Sequence, residues 1–135
     1  MNTVTKTSRS LAGDIGRMQR ESAMVMATVT SLADDELSKP TKCEGWTRAH
    51  VIAHLARDAD AMTNLATWAV TGQENPAYES REKRDADIEA AAKLPAAELA
   101  DALQQANARL LEAFQALMDG VQVAATAHLD SQPQQ

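Results

Sequence analysis

Aromatic side chains are nearly absent: four in 135 residues, or 3%. A core without aromatics has to be assembled from small and aliphatic side chains. That favours closely spaced helices over a sandwich built on Tyr, Phe and Trp pairs. A single cysteine, Cys43, excludes an intrachain disulfide and fits a reducing cytoplasm. No run approaches the ~20 apolar residues of a membrane span, and residues 1–6 hold no apolar stretch of the kind a signal peptide needs. Nor is there a surplus of basic charge. The net charge of -6 removes the counterion-displacing surface of a nucleic-acid binder.

What the chain has is apolar content of 44%, rich in alanine, the best helix former. One domain is expected at this length, and its class is all-α. Leu11, Ile15, Met18, Ser22, Val25, Val29 and Leu32 recur four and three apart, which predicts a helix over residues 10–32. Pro40 breaks the chain. Thr47 is a natural N-cap for a second helix that stops at Gly72. Ser80 to Ala92 reads as a short charged helix. Pro95 suits the first turn of a last one, with Leu99, Leu103, Ala106, Leu110, Ala113 and Leu117 on one stripe, Phe114 beside it and Gly120 as its end. Residues 1–9 are expected to be a flexible N-terminus, 10–120 the domain, and 121–135 an irregular tail without a stripe.

The second helix has two faces. Val51, Leu55, Met62, Leu65 and Ala69 form its expected apolar side. His50, His54, Arg57, Ala61, Asn64 and Trp68 form a second stripe of polar and aromatic groups. Two histidines one turn apart can hold a divalent metal, yet a site needs at least three ligands. Val51 stands where a metalloprotease helix would place its glutamate, which removes that chemistry. On spacing alone, metal binding and plain packing both stay open. Cys43 has no base nearby in sequence and reads as a small packing residue in a turn. Trp46 reads as a core anchor, and Trp68 as a packing residue.

The segment Gly45-Trp46-Thr47-Arg48-Ala49-His50-Val51-Ile52-Ala53-His54-Leu55-Ala56-Arg57, with Asp60, Ala61, Asn64 and Leu65, resembles a motif of the mycothiol-dependent maleylpyruvate isomerases. The run from Tyr78 to Glu89 is similar to that family as well, and the likeness spans about residues 10–118. The resemblance implies a DinB-like up-down helical bundle. Three of its long helices are present here, and the fourth is missing or vestigial. It also implies a divalent metal, usually zinc, and mycothiol as thiol co-substrate for cis–trans isomerisation of maleylpyruvate to fumarylpyruvate.

The histidine ligand on the second helix matches His54, with His50 as a more exposed neighbour. The family's other two ligands are a glutamate and a histidine four apart on the fourth helix. No such pair follows Phe114, and His128 does not match the pattern. Arg81 and Arg84 are candidates for orienting the substrate's carboxylates. Catalytic residues stay unassigned. The expectation is a truncated, impaired metal-binding domain in the cytoplasm. The alternative is a non-enzymatic helical module whose uncovered groove takes a partner helix or a second copy as a homodimer.

Overall fold

The structure is a computed structural model that describes residues 10–130. The segments 1–9 and 131–135, to which a flexible N-terminus and the end of an irregular tail were assigned, lie outside the described residues. Five helices are present among the described residues: α1 Leu11–Thr30, α2 Asp34–Leu37, α3 Arg48–Thr71, α4 Arg81–Ala92 and α5 Ala96–Asp130. The described residues are all-helical, as the alanine-rich composition favours. Among the described residues no helix is long and apolar enough to cross a membrane.

The caps fall where short polar side chains and glycines stand. Ser10, Thr47 and Ser80 each accept a backbone N–H of the following first turn. Gly72 closes α3 at φ 73°, a left-handed conformation that a side chain would strain. Pro95 lies immediately before α5, and its carbonyl accepts the Leu99 N–H at 2.9 Å. One cap escapes sequence reading. Asp34 Oδ1 accepts the Ala96 N–H from 62 residues away, placing a carboxylate at the positive end of α5.

Gly120 does not end the last helix. It has no positive φ, and α5 continues through it to Asp130, where an irregular tail was expected. An interior glycine costs only about 1 kcal/mol against alanine, and the residues after it include Gln122, Ala124, Ala125 and Ala127, which favour helix. The missing apolar stripe argued against packing, and helix formation is a separate matter.

The bundle is built on α3, α5 and α1. Thr47 at the N-cap of α3, with Ala49 and His50 of its first turn, shares one cleft with Lys93, Leu94 and Pro95 just before α5. Further along, Asp60 meets Arg109. The two helices therefore run in the same direction, and α4 is the return segment between them. In α1, Ile15 lies beside Leu117, and Val29 beside Ala97 and Ala100, so α1 runs antiparallel to α5.

The core joins Val29, Leu37, Ile52, Ile88, Leu99 and Leu103 to a series of alanines. Ala53 and Ala106 are fully enclosed, and Ala56 nearly so. This corrects the expected apolar side of α3. Leu55, Met62 and Leu65 are about 40% exposed, while Ala49, Ile52, Ala53, Ala56 and Ala59 face the core. Small side chains let α3 and α5 approach closely, and that contact outweighs the larger stripe on the flank.

Candidate functional site between α3 and α4

The polar stripe of α3 is the face that α4 covers. His50 meets Glu89, His54 meets Arg84, and Asn64 reaches back to the loop before α4, so the helices are antiparallel along the stripe. Asn64 Nδ2 donates to the carbonyls of Pro76 and Ala77 at 3.3 Å each, pinning the loop that delivers Tyr78 and α4. Ala61 is buried beneath, and its lack of bulk fits the close approach of this segment.

Trp46 enters from the turn Pro40–Thr47, whose two ends pair across a short bridge. Thr41 Oγ1 donates to the Trp46 carbonyl at 2.9 Å, and Gly45 takes φ 79° to make the turn. The indole stacks on His50 with centroids 6.3 Å apart and tilts over His54 at 5.4 Å. Both imidazoles are thus half-buried between Trp46 and α4, and the expected contrast between an inward His54 and an exposed His50 does not divide them so sharply.

Their hydrogen bonds do divide them. His50 Nδ1 accepts the Thr47 backbone N–H at 3.2 Å, and its Nε2 lies 3.1 Å from both Glu89 oxygens. A backbone N–H can only donate, so the His50 proton sits on Nε2 and points to the carboxylate. His54 Nδ1 lies 3.2 Å from Arg84 Nη2.

Arg84 also donates to Asp85 at 2.9 Å and sits 5.6 Å over the Tyr78 ring. Tyr78 first, and Asp85 after it, raise the Arg84 pKa above its ordinary value, while burial opposes them. Further along the stripe Arg57 pairs with Asp60 at 2.8 Å, and Arg109 of α5 joins the same carboxylate at 2.9 Å. The Arg57 Nε is enclosed and has no hydrogen-bond partner among the described residues.

Of the residues expected at a site, His54 and Arg84 come together. Arg81 is exposed at the first position of α4. Cys43 is exposed in the turn and is not a packing residue there. Trp68 is 38% exposed, against the expectation that it packs. His128 falls within α5, and its side chain lies outside those described. Among the described residues no three His, Cys, Asp or Glu side chains gather to hold a metal. Sequence reading missed Glu89 as the partner of His50 and Tyr78 as the ring beneath Arg84. The signal for Glu89 was only that α4 is charged where α3 is polar, and Tyr78 had none.

This is a helical bundle with a histidine–arginine wall between a long helix and its return segment. The chain belongs to the mycothiol maleylpyruvate isomerase N-terminal domain family, which it matches over residues 18–135. Two solved structures are similar to it. One is a mycothiol-dependent maleylpyruvate isomerase, with 31% identity and a TM-score of 0.75. The other is a histidine-to-alanine variant described by the same name, with 30% identity and a TM-score of 0.74. Each alignment covers 79% of this chain and 45% of the other, so the likeness spans less than half of those proteins. No protein of curated function matches the chain.

Proposed function

We infer that this chain is a domain of the maleylpyruvate-isomerase type whose described residues are impaired in metal binding and in isomerisation. The reaction class is addition of a thiol across a cis double bond, rotation about the resulting single bond, and elimination that returns the thiol. Maleylpyruvate and mycothiol are the substrate and co-substrate by family likeness, and the cytoplasm is the compartment that suits a free thiol.

The described residues do not fit a divalent metal site. A closed tetrahedral site takes four ligands and a catalytic one three, and His54 is the family's single ligand on α3. A guanidinium lies 3.2 Å from its Nδ1 and repels a cation. No step is therefore assigned to a metal here. What the wall offers is recognition. Arg84 is a permanent cation that binds a carboxylate through paired N–H groups, and Tyr78 supplies the ring that supports it.

The observation that carries this reading is the His54–Arg84 contact on a family-matched bundle. Zinc content and isomerisation of maleylpyruvate with mycothiol test it. The purified chain should hold less than one zinc, lose that in His54→Ala, and turn over poorly. Tight stoichiometric zinc that is unchanged in His54→Ala would overturn it.

A second reading has one observation in its favour. Val25, Leu55, Met62 and Leu65 are about 40% exposed, the first three along a groove between α1 and α3 with Leu103 and Leu110 in its lining. An apolar groove of this kind suits an interaction module that takes a partner helix or a second copy. A metal-free dimer by light scattering would favour it over the enzyme-type reading.

A further inference from the structure

We propose that Arg84 is a latch on His54: its hydrogen bond to Nδ1 and a divalent cation on the imidazole exclude each other. The inference rests on the family reading of His54 as a metal ligand. Arginine has five N–H donors and no acceptor, and it does not lose its proton in a protein. The 3.2 Å contact from Arg84 Nη2 therefore requires an unprotonated Nδ1, and the neutral ring carries its hydrogen on Nε2.

Each way of binding a cation conflicts with that arrangement. At Nδ1 the lone pair is already engaged and the guanidinium occupies the approach. At Nε2 the cation displaces the proton, and a neutral ligated imidazole then carries its hydrogen on Nδ1, where it faces the Arg84 N–H. Arg84 has to leave in both cases.

It has somewhere to go. Asp85 already accepts its Nη1 at 2.9 Å, and Tyr78 lies beneath its plane. Trp46 packs over the His54 ring at 5.4 Å, on the side of α3 that the Pro40–Thr47 turn reaches. His50 is the internal contrast. It has the same protonation pattern, but its Nδ1 is held by a backbone N–H that cannot swing away, and its Nε2 faces Glu89.

Arg84 is thus a positioning residue for His54. The test uses the whole chain with 15N-labelled histidine, read by NMR at neutral pH without metal, followed by zinc titration. In the wild type His54 should show its proton on Nε2. Arg84→Met should move the His54 Nδ1 signal and leave those of His50 in place, and Arg84→Lys, which keeps a donor, should restore much of the wild-type pattern.

Zinc should bind Arg84→Met roughly tenfold tighter than wild type, the scale of one charge-assisted hydrogen bond removed, and the gain should vanish in Arg84→Met/His54→Ala. A proton on Nδ1 in the wild type, an unmoved signal in Arg84→Met, or equal zinc affinity at His54 in both chains would overturn the latch. If the signal moves as expected and zinc reaches His54 in none of the chains, the hydrogen bond stands, but the latch falls together with the metal role of His54.

Discussion

Thr47 and His50 close the start of α3 reciprocally. Thr47 Oγ1 lies 3.5 Å from the His50 N–H it accepts, and the Thr47 N–H donates to His50 Nδ1 at 3.2 Å. This is a capping box with an imidazole where glutamate or glutamine usually stands. The same ring then ties α3 to α4 through Glu89, so His50 has a structural task on each nitrogen.

Replacing His50 by Ala should therefore destabilise the fold by about 1–2 kcal/mol, the usual cost of a lost helix cap. His50→Gln retains a side-chain acceptor at the same position and should recover part of the loss. Thermal denaturation followed by circular dichroism reads both. An unchanged melting temperature in His50→Ala would show that the box contributes nothing.

The alanine seam between α3 and α5 predicts intolerance to added volume. Ala106 is fully enclosed, so Ala106→Leu should cost about 1–3 kcal/mol through overpacking. Ala108 is exposed, and Ala108→Leu should stay within about 0.5 kcal/mol of wild type. Urea midpoints of the two variants check the contrast.

Asp60 joins two arginines from different helices, Arg57 and Arg109. Both pairs are partly exposed, and pairs of that kind are worth about 0–1 kcal/mol each. Asp60→Ala should lower stability by roughly 1 kcal/mol at low salt, and the loss should shrink at high salt as the Debye length shortens. A salt-independent loss would assign the effect to packing.

Gly72 stands at φ 73° with open space around a would-be Cβ. Gly72→Ala should cost about 1 kcal/mol from backbone strain alone, with no change at the α3–α4 wall. Denaturation combined with the His54 NMR signals separates the two effects.

The helices were legible because their ends are marked locally. Ser10, Thr47, Ser80 and Gly72 terminate helices through their own backbone and side-chain chemistry, and the Leu99, Leu103 and Ala106 stripe of α5 is buried as its spacing requires. The motif around His54 also named the family that residues 18–135 match. Gly120 misled because a glycine stops a helix only where the backbone turns left-handed, which it does at Gly72 and does not do at Gly120.

By itself, then, the sequence determined an alanine-rich, all-helical chain, most of its caps, and three candidate groups, His54, Arg81 and Arg84. Only the tertiary structure decided which face of α3 is core, because close approach of helices rewards small side chains over the larger Leu55, Met62 and Leu65. It also decided that α4 runs back along the polar stripe, setting a guanidinium against an imidazole 30 residues away in the chain. Capping and periodicity act within a few residues, so sequence displays them. The partner of a half-buried lone pair depends on which helices meet, and packing alone determines that.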